Sequence, residues 1–283
     1  EVHWEDKNPW IDENNQEIKG FLENAIKRTA TYKDLQLKFS GTPDSIKYYL
    51  EQPKKIKVFS WDGAKDTLLS PLDSMRYYKR FLQAGFLAMD PNSGHIKAWV
   101  GGINYKYFQY DHVKQGKRQP GSTFKPIVYT AAIDNGYSPC YEVVDAAVSY
   151  DVPGQIPPVW RPNNSSGKYS GEVMTISQAM ARSVNSITAF IMSKVGPSNV
   201  VDYARKLGFT SPLNAVPSLC LGTDDVSLYE LVGAYATFVN KGNFTKPEYI
   251  TKIADKNGNI LQYFIPETRE ALNVVDDQIC GPT

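Results

Sequence analysis

The sequence lacks the features that mark several classes of protein. Among its 283 residues, 31 Lys and Arg face 30 Asp and Glu, so the formal net charge is only +1. This near balance excludes the broad positive field expected of a protein that binds nucleic acid through its surface charge. No apolar run approaches the roughly 20 residues of a membrane-spanning helix. With 42% hydrophobic and 12% aromatic residues, the chain has the composition of a globular protein with a sizeable core.

Cysteine and histidine are equally scarce, with three of each. Cys140, Cys220 and Cys280 stand far apart, and no Cys-x-x-Cys occurs. A structural zinc site needs tighter clusters of ligands, so none is expected. We interpret the three cysteines as unreactive buried thiols, and they do not indicate a redox compartment.

The chain changes character near residue 84. Before that point no cluster of Ser, His or carboxylates suggests a site, so we interpret residues 1–84 as a linker or packing region that precedes a domain over residues 85–283. In this first region, apolar spacing and breaker residues predict helices over residues 17–30, 44–50 and 70–84. Alternating residues predict a strand over residues 54–61.

The remainder of the chain predicts an α+β fold. Two apolar runs around Asp90-Pro-Asn-Ser-Gly94 indicate one β-hairpin, and Asn257-Gly258 indicates another near the end of the chain. Between them, Thr175-x-x-Gln178 and Ser227-x-x-Glu230 are capping boxes that open helices. Because strands precede and follow a run of helices, we expect an antiparallel sheet with a helical block between its parts.

Chemistry is concentrated in Arg118-Gln-Pro-Gly-Ser-Thr-Phe-Lys-Pro126. Ser122 stands where a helix begins, and Lys125 follows one turn later on the same face. A serine hydroxyl becomes a nucleophile only when a base removes its proton. Lysine can be that base if burial lowers its pKa from about 10.4 toward 7. The spacing is weak evidence by itself, because Ser165-Ser-Gly-Lys168 repeats it in a polar loop and because Ser122 would also suit a simple helix cap.

A second candidate segment, Ser183-Val-Asn185, lies between two predicted helices. Its serine could pass a proton to a leaving amine, and its amide could hydrogen-bond both a lysine and a substrate peptide group. The structural alternative is that Asn185 only caps the next helix.

These segments, taken with two longer ones, resemble the transpeptidase domain of penicillin-binding proteins, most closely the bifunctional class A branch. The longer segments are Met89-Asp-Pro-Asn-Ser-Gly-His-Ile-Lys-Ala-Trp-Val-Gly-Gly102 and Leu221-Gly-Thr-Asp-Asp-Val-Ser-Leu-Tyr-Glu-Leu-Val-Gly-Ala-Tyr-Ala-Thr-Phe238. Residues 60–85 also resemble the segment that enters this domain in class A members. The resemblance extends over about residues 54–265.

The resemblance implies a serine enzyme with the fold shared by penicillin-binding transpeptidases and serine β-lactamases. Ser122 would be acylated by the D-Ala-D-Ala end of a peptidoglycan stem peptide, with Lys125 as its base and Ser183 and Asn185 as the second motif. An amine from a neighbouring strand would then take the acyl group and form a cross-link. β-Lactams would acylate the same serine, and neither a metal nor an organic cofactor would be needed.

The sequence departs from the family pattern at its third motif, Lys-Thr-Gly or Lys-Ser-Gly, which does not occur here. Lys241-Gly242 does not replace it, because it follows a predicted helix end and lacks the hydroxyl residue. We therefore expect the domain to be incomplete at its C-terminus. The resemblance also implies an upstream glycosyltransferase domain and an N-terminal membrane anchor, which would place the chain in the periplasm or on the outer face of the cytoplasmic membrane.

Two alternatives remain open from the sequence. A serine β-lactamase shares both short motifs but needs a group that activates water, commonly a Glu soon after the second motif. No Glu occurs between Asn185 and Pro217. A non-catalytic sensor or scaffold that binds β-lactams or peptidoglycan would keep Ser122 and Lys125 without a site for an acceptor amine.

Overall fold

The computed structural model describes residues 8–12, 14–152 and 158–272, and these form two compact units. The first unit contains the described residues up to Gln83 together with Asn104–Phe108. The second contains Ala84–Ile103 and the described residues from Gln109 onward.

The first unit combines short helices with one hairpin. Its elements are α1 (Phe21–Lys27), α2 (Ala30–Lys38), α3 (Pro43–Glu51), β1 (Lys54–Val58), β2 (Lys65–Leu69) and α4 (Pro71–Lys79). β1 and β2 pair in antiparallel fashion. Ile26, Ile46 and Leu50 form a small core where the helices meet.

Two helix boundaries in this unit differ from the sequence prediction. The helix expected over residues 17–30 covers only Phe21–Lys27, because Gly20 precedes it in the left-handed region with a φ of 76°. A second helix, α2, follows it and was not predicted; Thr29 caps it by accepting a hydrogen bond from the N–H of Tyr32. Ser70 caps α4 as predicted. However, α4 ends at Lys79 instead of residue 84. The N–H of Arg80 donates to Tyr77 O and Tyr78 O, which are closer along the chain than the acceptor in an α-helix, so the last turn tightens.

The second unit begins with an antiparallel hairpin of β3 (Phe86–Met89) and β4 (Ile96–Val100), as the sequence predicts. A 3₁₀ turn over Gly121–Phe124 then leads directly into α5 (Lys125–Asp134). The other elements of this unit are β5 (Lys117–Arg118), β6 (Glu142–Val144), β7 (Tyr150–Asp151), β8 (Val159–Trp160), β9 (Val173–Thr175), α6 (Ile176–Ala181), α7 (Asn185–Val195), α8 (Pro197–Lys206), β10 (Val226–Ser227), α9 (Leu228–Val239), β11 (Asn243–Thr245), β12 (Lys252–Ala254), β13 (Ile260–Tyr263) and β14 (Thr268–Glu270).

The main core lies where α5, α7 and α8 pack together. Its fully buried side chains include Phe124, Ile127, Ile187, Ile191, Met192, Leu207 and Leu219. This core fixes the start of α5 against the start of α7, since both helices contribute their apolar faces to it. The two candidate segments of the sequence are thereby held next to each other.

The α+β class is confirmed, but the strands of the described residues pair only in twos. β5 pairs with β10, β6 with β9, β7 with β8, β11 with β14, and β12 with β13. Both predicted capping boxes are present, at the starts of α6 and α9.

The prediction of unreactive thiols holds at Cys220, which is free and fully buried. It is wrong at Cys140, which is disulfide-bonded. Cys280 lies outside the described residues.

Candidate active site

Lys125 is the first residue of α5 and is almost completely buried, with 2% of its surface exposed. Burial without compensation would be costly for an ammonium group, and such groups therefore have partners. The Lys125 Nζ donates three hydrogen bonds, to Ser183 O at 2.7 Å, Ser183 Oγ at 2.9 Å and Asn185 Oδ1 at 2.6 Å. Three of the four predicted site residues thus meet at one nitrogen.

Ser183 offers two acceptors to the same nitrogen from a backbone conformation that is uncommon for serine. Ser183 lies between α6 and α7 and has a φ of 55°, in the left-handed region that is unfavourable for any residue other than glycine. Such a conformation costs about 1–3 kcal/mol, so surrounding contacts must hold it in place. Here it accompanies a geometry in which both the carbonyl and the hydroxyl of Ser183 contact Lys125.

Burial lowers the pKa of Lys125 to about 8, and Cys220 acts weakly in the opposite direction. The three hydrogen-bond acceptors stabilise the ammonium form and so oppose the effect of burial on the pKa. A lysine with a pKa near 8 has a substantial neutral fraction at physiological pH and can act as a base.

Ser122 lies in the 3₁₀ turn that leads directly into α5, and its side chain is exposed. Within the described part of the chain its hydroxyl has no hydrogen-bond partner, so it does not join the group around Lys125 by a direct bond. Its position is set by the backbone, since the N–H of Gly121 donates to Gly222 O at 3.3 Å. A Cβ on Gly222 would come within 2.3 Å of Gly121 O, so only glycine permits this close approach.

Asn185 does not cap α7, contrary to the structural alternative raised by the sequence. Val184 occupies the N-cap position and has no side chain that could accept a hydrogen bond. The N–H groups of Asn185 and Ser186 instead donate to Asn164 Oδ1, at 2.9 and 3.1 Å. Asn164 could not be predicted as a site residue from the sequence, because it lies in a polar loop with no periodic pattern.

Other candidates from the sequence do not form sites. Ser165 and Lys168, which repeat the Ser-x-x-Lys spacing, are exposed in a loop.

The described residues contain no group of His, Cys, Asp and Glu that could hold a metal ion. Nor does any helix among them have the length and apolarity needed to cross a membrane.

An apolar groove of about 600 Å³ runs beside the turn that carries Ser122. β3 and α9 form its walls, through residues such as Leu87, Met89, Leu231 and Val239, and Thr123 lies at its edge. Tyr235, also in the lining, donates from its hydroxyl to Thr123 O at 2.7 Å and so ties α9 to the turn. The turn is therefore supported from both α9 and Gly222.

Two family models match the chain. Residues 5–82 match the penicillin-binding protein middle domain. Residues 84–279, more than half of the chain, match the penicillin-binding protein transpeptidase domain.

Similar proteins carry the same family name. Penicillin-binding protein 1A of Aquifex aeolicus is 32% identical over 249 residues, which are 87% of this chain and 34% of that protein. Penicillin-binding protein 2D of Bacillus subtilis is 36% identical over 182 residues, which are 64% of this chain and 26% of that protein. The chain thus spans about a quarter to a third of the length of these relatives.

Solved structures agree with the sequence matches. The crystal structure of penicillin-binding protein 1A from Haemophilus influenzae has a TM-score of 0.61 and 29% identity, over 66% of this chain and 28% of that one. PonA1 from Mycobacterium tuberculosis in complex with penicillin V has a TM-score of 0.56 over 85% of this chain and 65% of that one, and its 21% identity establishes likeness of fold only. From the transpeptidase match together with the penicillin-binding proteins 1A among its relatives, we conclude that the chain belongs to the penicillin-binding protein transpeptidase family, in its class A branch.

Proposed function

We propose that the chain is the transpeptidase part of a peptidoglycan-synthesising enzyme, with Ser122 as nucleophile and Lys125 as its base. The observation that carries the proposal is the buried Lys125 amine, held by Ser183 and Asn185 one helical turn after an exposed serine. In this arrangement Lys125 would activate a serine that a substrate can reach from solvent.

In the proposed acylation, neutral Lys125 takes the proton of Ser122. The serine oxygen attacks the carbonyl carbon of the peptide bond that joins the two D-alanines. The C–N bond of that amide breaks, and the terminal D-alanine leaves as an amine after receiving a proton. The Ser183 hydroxyl, 2.9 Å from Lys125 Nζ, would carry this proton from the lysine to the leaving nitrogen. The backbone N–H of Ser122 would stabilise the oxyanion.

In the proposed second half, an amine of a neighbouring stem peptide attacks the ester at Ser122. A new amide forms and the ester C–O bond breaks, the attacking amine loses one proton and the leaving serine oxygen gains one, and two strands become cross-linked. A β-lactam would acylate Ser122 by the same attack, but its opened ring stays attached and blocks the amine.

We also propose a setting for this activity. The relatives are several times longer than this chain, and class A members combine a transpeptidase with a glycosyltransferase. We infer that residues 1–84 connect such an upstream domain to the transpeptidase, and that the protein acts in the periplasm or at the outer face of the cytoplasmic membrane, attached by an N-terminal segment.

The test is the intact mass of the protein after incubation with benzylpenicillin, for the wild type and for Ser122→Ala. We expect a persistent adduct of one penicillin on the wild type and none on the variant. An adduct that disappears within minutes would instead support a β-lactamase. An adduct on a protein that does not cross-link stem peptides in a separate assay would support the sensor or scaffold. No adduct on this chain would mean that acylation needs the third motif, and no adduct on a longer chain that contains this motif would refute acylation at Ser122.

A further inference from the structure

The first turn of α7 is held by a loop far away in sequence. Its leading N–H groups, from Asn185 and Ser186, have no acceptor within the helix, because the first turn of a helix leaves its N–H groups unpaired. Asn164 Oδ1 accepts both, at 2.9 and 3.1 Å. Because Val184 at the N-cap position cannot do this, the cap of α7 is supplied by another part of the chain.

Asn164 is in turn fixed by Asp145, whose surface is only 4% exposed. Asp145 Oδ1 accepts from Asn164 Nδ2 at 2.9 Å and from Ser186 Oγ at 2.5 Å. Its other oxygen, Oδ2, accepts from the N–H and the hydroxyl of Ser170 at 2.8 and 2.9 Å. One carboxylate therefore joins the loop, through Asn164 and Ser170, to the start of α7, through Ser186.

The carboxylate is suited to this position. Burial alone would raise the pKa of Asp145, but hydrogen bonds from Ser170, Ser186 and Asn164 outweigh burial and hold the pKa below its usual value. Asp145 is thus ionised at neutral pH, and its negative charge lies near the positive end of the α7 dipole.

The same loop sets the orientation of the Asn185 amide. Asn185 Nδ2 donates to Asn163 O at 2.7 Å, and this leaves Oδ1 directed at Lys125 Nζ, 2.6 Å away. If the loop moved, Asn185 Nδ2 would lose its hydrogen bond to Asn163 O, and the amide could rotate so that Oδ1 no longer faces Lys125. Lys125 would then lose one of its three acceptors.

We propose that Asp145 is a positioning residue for acylation, which acts through Asn164 to fix the start of α7 and thereby the Asn185 amide against Lys125. The proposal rests on the proposed function of Ser122 and Lys125. Asp145 itself does not contact Lys125 or a reacting atom, and its role is to hold the residues that do.

Variants at both ends of the Asp145–Asn164 hydrogen bond test the proposal. We expect Asp145→Asn and Asn164→Ala to lower the first-order acylation step with benzylpenicillin by about tenfold or more, because small displacements of catalytic groups have large effects on rate. The concentration for half-maximal acylation should stay nearly unchanged. Ser166→Ala, on the same loop, and Asp202→Asn, on the surface of α8, are matched controls and should keep the wild-type rate.

A rescue tests whether the lost rate comes from the hydrogen bond between the two positions, and the folded fraction of each variant separates positioning from general destabilisation. In the double variant Asp145→Asn with Asn164→Asp, donor and acceptor are exchanged, so the hydrogen bond between the two positions can form again. We expect this variant to recover part of the lost rate, because the bond from Asn164 Nδ2 to Lys168 O, at 3.2 Å, is not restored. If both single variants acylate at the wild-type rate when folded, or if the rate falls only in proportion to the folded fraction, the proposal is wrong.

A measurement that does not need acylation keeps this proposal distinct from the proposed function. The pKa of Lys125 can be followed by NMR in protein with labelled lysine. Loss of the Asn185 acceptor should lower it below the wild-type value of about 8 in Asn164→Ala but not in Ser166→Ala. Absence of acylation on a chain that contains the third motif would refute the proposed function alone, whereas an unchanged pKa in Asn164→Ala would refute the role of the Asp145–Asn164 pair.

Discussion

At Lys125, burial and hydrogen bonding act on the same amine in opposite directions. Burial disfavours the ammonium form. In contrast, Ser183 O, Ser183 Oγ and Asn185 Oδ1 stabilise it, because each accepts a hydrogen bond from Lys125 Nζ. Burial is the stronger influence, and the pKa of Lys125 falls to about 8. When the amine loses a proton, the Ser183 hydroxyl can reverse its role and donate to it, so the contact survives in both protonation states.

The rate of acylation should therefore depend on the protonation of Lys125. Below the pKa of about 8, most of the base is ammonium, so we expect the second-order rate constant with benzylpenicillin to rise about tenfold per pH unit and to level off above pH 8. The measurement is that rate constant from about pH 6 to about pH 10. Lys125→Arg, which stays charged throughout, should remain near the background rate, and a flat wild-type profile would exclude Lys125 as the base.

The sequence alone could identify Ser122, Lys125, Ser183 and Asn185 as candidates, because spacing and resemblance are properties of the chain. It could not identify Asp145 or Asn164, because they contribute through contacts with residues about 20 to 40 positions away. Nor could it show that Asn185 is not a cap, since that depends on the acceptor that Asn164 brings to α7.

At the scale of elements, Glu230 joins α9 to the segment that follows α8. Its predicted role is only to complete the capping box with Ser227, and the structure confirms that box. Its carboxylate also accepts hydrogen bonds from Thr210 and Ser211, at distances of 2.6 to 2.8 Å. Local pattern could predict the helix start, but the contacts to Thr210 and Ser211 depend on how α8 and α9 pack.

These contacts predict a pH dependence of stability. Burial alone would raise the pKa of Glu230, but hydrogen bonds from Thr210, Ser227 and Ser211 lower it to about 2 from a usual 4.5. Because the folded pKa is the lower one, this contribution is complete above about pH 4.5 and is lost as pH falls toward 2. A shift of this size is worth about 3 kcal/mol.

The measurement is urea unfolding of the wild type and Glu230→Gln at several pH values. We expect the variant to be less stable by about 3 kcal/mol at neutral pH, and the difference to shrink between about pH 4.5 and pH 2. Glu172→Gln is the control, because its ion pair with Arg182 at 3.2 Å is largely exposed and should contribute less than about 1 kcal/mol. A constant difference at every pH would contradict the assignment.

At the scale of the whole molecule, the chain enters the first unit twice. Phe59 is buried among rings that include Phe81 and, from a later part of the chain, Tyr107 and Phe108, with ring centroids 5.2 to 5.7 Å apart. A change in composition near residue 84 marks a single position along the chain. It carries no information about the return at residues 104–108, since two aromatic residues in a polar loop fit many environments.

This return predicts how the chain responds to a cut between Gln83 and Ala84. With a protease site inserted there, we expect the two fragments to stay together in size-exclusion chromatography after cleavage, because Tyr107 and Phe108 remain packed on Phe59. Replacing both rings by alanine should remove about 2 kcal/mol for each half-buried ring and allow the fragments to separate. Tyr105→Ala, at a side chain that is 80% exposed, should leave the fragments together. Separation of the unmutated fragments would show that the contacts of Phe59 do not bind this segment to the first unit.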